Sequence, residues 1–144
     1  MKKCLLFFLV ILFSCSKDGV DTGSADRVVG TWKTAIITIG TYRTQTTWEI
    51  IKKDEKSVFV EIYRGYWPNP NSDEGYENDR ATSLLASMSD RNTLVFEVNT
   101  AASGAAFCGL KGTGKLSGDK LTMVTSTVCS GYDPDPVTEE FTKQ

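Results

Sequence analysis

The segment from Phe107 to Gly131, FCGLKGTGKLSGDKLTMVTSTVCSG, constrains the fold more than any other part of the chain. Its centre, Ser-Gly-Asp-Lys at 117–120, is a signal for a two-residue β-hairpin turn. Carried outward from that turn, the antiparallel register places Cys108 directly opposite Cys129, at a non-hydrogen-bonded site where Cα atoms lie about 4.5 Å apart. That separation is within disulfide reach. The sequence therefore predicts a β-hairpin closed by a disulfide between Cys108 and Cys129.

The same register separates the two faces of the hairpin, because successive side chains of a strand point to opposite sides. One face carries the cysteines together with Leu110, Leu116, Leu121 and Met123. The other face carries Lys111, Lys115, Thr122 and Ser126. We expect the leucine face to point into a hydrophobic core and the lysine face to point into solvent.

The charge balance and the absence of histidine limit the functions open to the chain. Its 144 residues contain 16 basic and 18 acidic side chains, a net charge of -2, which argues against a nucleic-acid partner. Without histidine, the chain lacks the commonest general base and the usual nitrogen ligand of zinc sites. No nucleophile has a base near it in the sequence. We expect a monomeric protein that is not an enzyme and holds no metal and no cofactor.

The N-terminus carries a secretion signal. Lys2 and Lys3 precede an apolar run, CLLFFLVILF at 4–13, which is well short of the ~20 residues that a membrane-spanning helix needs. The site that follows, Leu-Phe-Ser-Cys at 12–15, resembles the lipobox of bacterial lipoproteins. The resemblance implies removal of a signal peptide, residues 1–14, and acylation of Cys15; an ordinary secretory signal with an incidental cysteine is the alternative. Ser16 resembles the class that is sorted to the outer membrane, on its periplasmic side or at the cell surface.

These expectations account for all four cysteines. Cys4 leaves with the signal peptide, Cys15 takes the lipid, and Cys108 and Cys129 remain as one pair, as expected in an oxidising compartment. Residues 15–26 are small and polar after the acylated cysteine, which indicates a flexible tether to the membrane. The folded domain is expected to span residues 27–144.

The folded domain is predicted to be all β. Its segments rich in Val, Ile, Thr and aromatic residues are separated by turn residues and predict eight strands, at 31–39, 42–52, 57–65, 81–89, 93–99, 105–116, 120–129 and 137–143. Short connections favour antiparallel pairing of consecutive strands, and closure of such a meander removes its exposed edges. We therefore expect an eight-stranded antiparallel up-and-down barrel, with a two-sheet β-sandwich as the alternative.

A short motif precedes the first predicted strand. Val-Val-Gly-Thr-Trp-Lys at 28–33 resembles the G-x-W signature of lipocalins and their wider calycin relatives, in particular the lipocalin-like lipoproteins of Bacteroidetes, through Gly30 and Trp32. The resemblance implies a barrel whose base is plugged by Trp32 and covered by a basic residue of the last strand, Lys143. Avidin-type barrels also begin with Gly-Thr-Trp, so the motif supports a barrel rather than one ligand.

The first turn of the predicted barrel raises a question of register. A two-residue loop at Gly40 and Thr41 would place Trp32 and Trp48 on opposite faces of the sheet. Either a bulge or a three-residue loop would return both tryptophans to the inner face, and the sequence leaves the two alternatives open.

The longest predicted connection, residues 65–80, is a candidate contact surface. It concentrates Tyr66, Trp67 and Tyr76, and aromatic loops suit protein or glycan partners. The alternative is a solvated loop whose Trp67 folds back over the barrel mouth. The run Asn69-x-Asn71-x-Asp73 resembles the start of a calcium-binding EF-hand loop, but its glycine is one position late and Arg80 stands where the last ligand belongs, so no calcium site is predicted.

Two functions from different classes are consistent with these features. The first is binding of a small apolar or amphipathic molecule inside the barrel, through the inward residues Tyr42, Trp48, Phe96 and Met123. Small inward residues would leave a void for such a ligand, and they are expected at positions 34, 44, 46, 112, 114 and 125. The alternative is a non-enzymatic interaction or inhibitor module that uses the 65–80 loop.

Overall fold

The computed structural model of the chain describes residues 23–71, 77–98, 108–129 and 135–144. They form nine strands: β1 (Gly30–Thr34), β2 (Ile37–Ile39), β3 (Tyr42–Lys52), β4 (Ser57–Trp67), β5 (Glu77–Asp90), β6 (Thr93–Val98), β7 (Cys108–Ser117), β8 (Lys120–Cys129) and β9 (Val137–Lys143). Each predicted strand is found, except that the first is divided into β1 and β2. Cys15, the signal peptide and most of the predicted tether lie outside the described residues.

The strands close into a barrel. Consecutive strands from β3 to β9 pair antiparallel, and β1 pairs with both β9 and β3, which joins the two ends of the sheet. The closed barrel therefore has eight strands, and β2 is an extra strand on the edge of β3. The prediction of an antiparallel up-and-down barrel is confirmed, and the two-sheet sandwich is wrong.

The barrel has two distinct ends, which we call the base and the mouth. The short turns at 53–56, 91–92 and 118–119 lie at the base. The opposite ends of the strands, Trp67, Val98, Cys108 and Cys129 among them, lie at the mouth, together with the β2–β3 turn. The longer connections of the chain, 68–76, 99–107 and 130–136, join strands at these ends, and binding residues are commonly placed on such connections.

The core fills the lower part of the barrel. Trp48 lies at its centre, with ring centroids 4.9 Å from Phe141 and 6.1 Å from Phe96. Alternate residues of each strand point inward, as the period of a strand requires. The fully buried side chains include Trp32, Trp48, Phe141, Leu94, Leu121, Met123, Val58 and Val60.

Two glycines of β7 are required by the large side chains packed against them. A Cβ atom on Gly112 would lie 2.4 Å from the Phe96 ring, and one on Gly114 would collide with the Met123 sulfur. The space that these glycines were expected to leave for a ligand is therefore filled by Phe96 and Met123. Small residues in a barrel wall mark a void only when the facing residues are also small.

The register of the β7–β8 hairpin is confirmed. Ser117 pairs with Lys120 across the two-residue turn, Leu116 pairs with Leu121, and Cys108 is the Cα partner of Cys129. The side chains of the two cysteines lie outside the described part of the structure, so the disulfide stays a prediction.

The register question at Trp32 and Trp48 is answered by a break between β1 and β2. Ile39 pairs with Tyr42, so the turn has two residues and Gly40 adopts a φ of +58°. Trp32 nevertheless pairs directly with Trp48. The one-residue shift takes place where the strand is interrupted, at positions 35–36. The break has the register effect that was predicted for a bulge, and the predicted three-residue loop is wrong.

Trp32 and Lys143 close the base. The Trp32 side chain is fully buried, and its Nε1 donates a hydrogen bond to the carbonyl of Val28 at 2.7 Å. The Lys143 ammonium lies 5.4 Å from the centroid of the Trp32 ring and donates to the carbonyl of Arg27 at 3.5 Å. Trp32 and Lys143 thus lie next to each other at the base of the barrel. The contact with the ring face is a cation–π interaction.

The segment before β1 is packed across the base. A single 3-10 turn, Ala25–Arg27, begins at Ser24, whose hydroxyl accepts from the backbone N–H of Asp26. Ala25 is fully buried and donates its N–H to the carbonyl of Glu55. Arg27 donates to the Arg91 carbonyl at 2.7 Å and to Asn92 Oδ1 at 2.6 Å. Packing therefore begins at least four residues before the expected domain boundary at Arg27.

Candidate functional site

The barrel interior contains a cavity between the core and the mouth. Its volume is about 200 Å³. Four apolar side chains line it, Trp48, Ile62, Phe96 and Leu110, and four polar ones, Thr46, Arg64, Thr125 and Glu139. Each belongs to the inward set of its strand, because these positions alternate with outward ones along β3, β4, β6, β7, β8 and β9. The cavity is amphipathic.

The apolar part of the cavity is held rigidly. Trp48 is 2% exposed and Phe96 is 6% exposed, and their rings meet edge to face. Phe96 lies against Gly112, where no side chain holds it away from the wall. A planar apolar surface of this kind offers contact area with little loss of side-chain entropy, because the aromatic rings are already fixed.

The polar part of the cavity carries charges of both signs. Thr46 on β3 donates its hydroxyl to Glu139 Oε1 on β9 at 3.2 Å, a bond that crosses the gap above the end of β1. Arg64 on β4 has no ion-pair or hydrogen-bond partner among the described side chains. A guanidinium next to an apolar surface suits a ligand with a carboxylate or another polar oxygen at one end.

The rim of the mouth is aromatic. The rings of Tyr42 and Tyr66, on the neighbouring strands β3 and β4, are 4.9 Å apart, and Tyr66 is 38% exposed. Trp67 is 8% exposed, and the Arg43 guanidinium lies 5.3 Å from the centroid of its ring. Arg43 and Trp67 are register partners, so Trp67 belongs to the sheet and does not fold over the mouth.

The connection between β4 and β5 is shorter than expected. Strand β4 continues to Trp67 and β5 begins at Glu77, so residues 65–67 and 77–80 are strand and the connection comprises residues 68–76. Tyr66 and Trp67 are therefore strand residues at the rim instead of loop residues. Tyr76 lies outside the described residues, as does Asp73 of the EF-hand-like run.

The four predicted ligand-binding residues fall at different depths. Trp48 and Phe96 line the cavity, Tyr42 lies at the rim, and Met123 is fully buried in the core. Of the small inward positions, Thr46 and Thr125 do line the cavity, as expected. Sequence reasoning missed Arg64 and Glu139. Strand alternation could have identified them, because each lies two residues from an inward apolar residue, Ile62 or Phe141, and therefore on the same face of its strand.

The described residues also form two recesses in the barrel wall. Strand β1 ends at Thr34, and a gap of about 270 Å³ opens there between β2 and β9, lined by Ile37, Gln45 and Glu140 among others. The pairing of β5 with β6 stops at Ser87 and Val95, and an outer groove of about 680 Å³ begins at that point. The larger recess lies outside the barrel, so the smaller inner cavity is the better match to the predicted ligand site.

The described residues lack the features of a metal site and of a membrane-spanning helix. Within these ranges, no three His, Cys, Asp or Glu side chains are grouped so that they could hold a metal ion. Nor does this part of the chain contain a helix with the length and hydropathy of a membrane span. In comparisons with known proteins, no family model and no curated protein matches the chain.

Proposed function

We propose that this protein binds a small amphipathic molecule in the cavity at the barrel mouth and is held at the outer membrane by a lipid on Cys15. The observation that carries the binding proposal is the cavity itself, in which Trp48 and Phe96 form an apolar surface opposite Arg64 and Glu139. In a barrel with a filled interior, the inward side chains would be apolar as far as the mouth. Here the inward positions change to charged and hydroxyl side chains.

The dimensions of the cavity limit the ligand. At about 200 Å³ the cavity is smaller than the ~300 Å³ at which ordinary ligand pockets begin. A ligand therefore places only a small apolar group inside, and its remainder projects through the mouth past Tyr42 and Tyr66. A long hydrocarbon chain buried over its whole length does not fit this volume.

Charge defines the other end of the ligand. Arg64 can pair with a carboxylate or phosphate oxygen, and Glu139 and Thr125 can accept from a hydroxyl or an amine. A molecule with an apolar group at one end and such polar groups at the other would satisfy both parts of the cavity. Proximity of Arg64 to the apolar surface favours an anionic head group.

Membrane attachment is supported by the lipobox-like site at Cys15 and by the resemblance of the G-x-W segment to lipocalin-like lipoproteins. A single acyl chain holds a protein only marginally, whereas the several chains of a bacterial lipoprotein hold it firmly. The proposed location is the outer membrane, on either its periplasmic side or the cell surface.

The binding proposal is tested by extraction and by fluorescence. Protein purified from its native host is extracted with solvent, and the extract is analysed by mass spectrometry for a small amphipathic molecule present in molar proportion. In parallel, tryptophan fluorescence is followed during titration with fatty acids of increasing chain length, haem and retinoid probes. We expect a response to the short fatty acids that is lost in Trp48→Phe.

A matched pair of variants locates the site. Thr125→Leu adds apolar volume inside the cavity, and Thr122→Leu adds the same volume on the outer face of the same strand. We expect Thr125→Leu to weaken short fatty-acid binding at least tenfold and Thr122→Leu to leave it unchanged. Equal binding by both variants, with an empty extract, would remove the carrier function.

An interaction module is the second candidate, and the exposed Tyr66 ring favours it. The Tyr66 ring packs at a tilt against that of Tyr42 at the rim, where an aromatic pair can contact a protein or a glycan. Cross-linking in cells through a photoreactive residue at position 66 distinguishes the two candidates. A macromolecular partner captured there, in protein that yields no small-molecule extract, would favour the module over the carrier.

A further inference from the structure

Charge is divided unevenly between the two ends of the barrel. The base comprises residues 26–27, 52–56, 90–91, 115–120 and 143, and it holds eight Lys and Arg side chains against five Asp and Glu. The other described residues hold five against eight. Within the described ranges the base therefore carries three net positive charges, and the remainder three net negative charges. The net charge of the base is thus opposite in sign to that of the rest of the described barrel.

Most of the cationic side chains of the base are available to solvent. Lys53, Lys56, Arg91 and Lys120 are exposed on the three base turns or next to them. Lys52 pairs with Asp26 at 2.8 Å, and that pair is itself at the surface, with 40% and 65% of the two side chains exposed. A surface pair of this kind leaves the charges accessible to a third partner.

The chain enters the fold at this same end. Gly23 lies against the turn between β5 and β6, where a Cβ atom would be 2.4 Å from the carbonyl oxygen of Asp90. From Cys15 to Gly23 the chain can extend over at most about 29 Å. The barrel is about 28 Å tall, given strands of eleven residues tilted by about 40°. An anchor at Cys15 therefore reaches the base easily and the mouth only when fully extended.

We propose that the base is a membrane-docking surface for anionic lipid head groups, and that it turns the mouth of the barrel away from the bilayer. The inference rests on the proposed anchor at Cys15. Attraction of the base and repulsion of the negative end act in the same direction, so both favour one orientation. The ligand cavity then opens into the aqueous compartment, where it can take up a soluble amphipathic molecule directly.

Amine labelling of the intact protein tests the orientation. The membrane-bound form is reconstituted into nanodiscs of zwitterionic lipid with or without an anionic lipid and treated with a water-soluble amine reagent, and each lysine is quantified by mass spectrometry. On anionic discs we expect Lys53, Lys56 and Lys120 to react at least threefold more slowly than in detergent. Lys111, near the mouth, should react equally in both. The protection should disappear in 0.5 M salt, where the Debye length falls to a few ångströms.

Two charge reversals on the β7–β8 hairpin form a matched pair. Lys120→Glu changes the base, and Lys111→Glu makes the same change in net charge on the outer wall near the mouth. Each positive charge near an anionic surface contributes about a fivefold factor in binding. Lys120→Glu should weaken the salt-dependent protection of Lys53 and Lys56, and Lys111→Glu should not.

The outcomes separate the anchor from the orientation. Absence of the protein from the membrane fraction would overturn the anchor and the docking surface with it. A protein that is membrane-bound but shows equal reactivity at base and mouth lysines, or protection of Lys111 alone, would leave the anchor intact and overturn the docking surface. Protection that is the same on zwitterionic and anionic discs would overturn the role of anionic lipid.

Discussion

Trp32 and Trp48 are direct partners in the β1–β3 ladder, although the turn that leads into β3 has only two residues. Trp32 plugs the base, and Trp48 forms part of the cavity surface. One residue pair of this ladder therefore contributes to both the base and the cavity. A break of the strand at positions 35–36 makes the pairing possible, because it shifts the register by one residue.

The first prediction concerns the buried hydrogen bond of Trp32. Trp32→Phe removes the Nε1 donor from the carbonyl of Val28 and leaves space beneath Lys143. We expect the free energy of unfolding to fall by about 2–4 kcal/mol, since a buried acceptor loses its partner and a cavity forms. Urea unfolding measures the loss. Tyr66→Phe at the exposed rim is the control, with an expected change below about 0.5 kcal/mol; equal losses would contradict the role of Trp32 as a plug.

The second prediction concerns the close approach of Phe96 to Gly112. Gly112→Ala places a Cβ atom 2.4 Å from the ring and should destabilise the protein by about 1–3 kcal/mol. In a Phe96→Leu background the same substitution should cost less, because the smaller side chain leaves room. A double-mutant cycle measured by urea unfolding gives the coupling between the two positions. Additive effects would show that the two residues do not collide.

The third prediction is a disulfide between Cys108 and Cys129, which the confirmed register places as Cα partners. The bond should stabilise the protein by at most about 3 kcal/mol on the loop-entropy model, and by less where the hairpin already holds its ends together. Thiol titration of the oxidised, denatured protein checks it. Two free thiols from this pair would contradict the disulfide while leaving the backbone register unaffected.

The fourth prediction concerns stability in acid. The side-chain hydrogen bond from Lys52 lowers the pKa of Asp26, the backbone N–H of Lys56 lowers the pKa of Asp54, and the Thr93 side chain lowers the pKa of Asp90. A carboxyl group whose pKa is lowered by folding stabilises the folded state above its unfolded pKa, near 3.8, and this stabilisation is lost as pH falls through the folded pKa. The free energy of unfolding should therefore decrease below about pH 4.

These three aspartates of the base supply the control for that measurement. Urea unfolding followed between pH 2 and pH 7 should show a shallower acid decline in the triple variant Asp26→Asn, Asp54→Asn, Asp90→Asn than in the parent. Lys52 has the opposite pH dependence. The hydrogen bond to Asp26 raises the pKa of Lys52 above its ordinary value of 10.5. The stabilisation of the folded state that Lys52 contributes is therefore present below pH 10.5 and is lost as pH rises through the folded pKa. Identical acid declines in parent and variant would assign the effect to other groups.

The fifth prediction is acylation of Cys15. Metabolic labelling with a fatty-acid probe should tag the parent protein and leave Cys15→Ala untagged. Cys4→Ala should remain tagged, because Cys4 precedes the expected cleavage site. A parent protein that is secreted in soluble form without a tag would contradict the anchor.

Local pattern in the sequence was sufficient for most of the fold. The Ser-Gly-Asp-Lys turn set the register of ten residue pairs in the β7–β8 hairpin, since each pair depends only on the turn and on the strand period. Alternation of apolar and polar residues identified the strands and their inward faces for the same reason. Trp48 and Phe96 were correctly placed inside the barrel, because strand parity determines the side of the sheet on which a residue lies.

Contacts between distant segments decided the rest. Closure of the barrel brings β9 beside β1 and β3, so the bond between Thr46 and Glu139 and the position of Arg64 in the cavity depend on chain segments far apart in sequence. Packing of residues 23–28 across the base depends on the same closure, because its partners lie on turns from other hairpins. The sequence alone determined which faces are apolar. Only the tertiary structure decided which polar groups share the cavity and which end of the barrel receives the N-terminal segment, since strand parity identifies a face but not the distant residues that meet there.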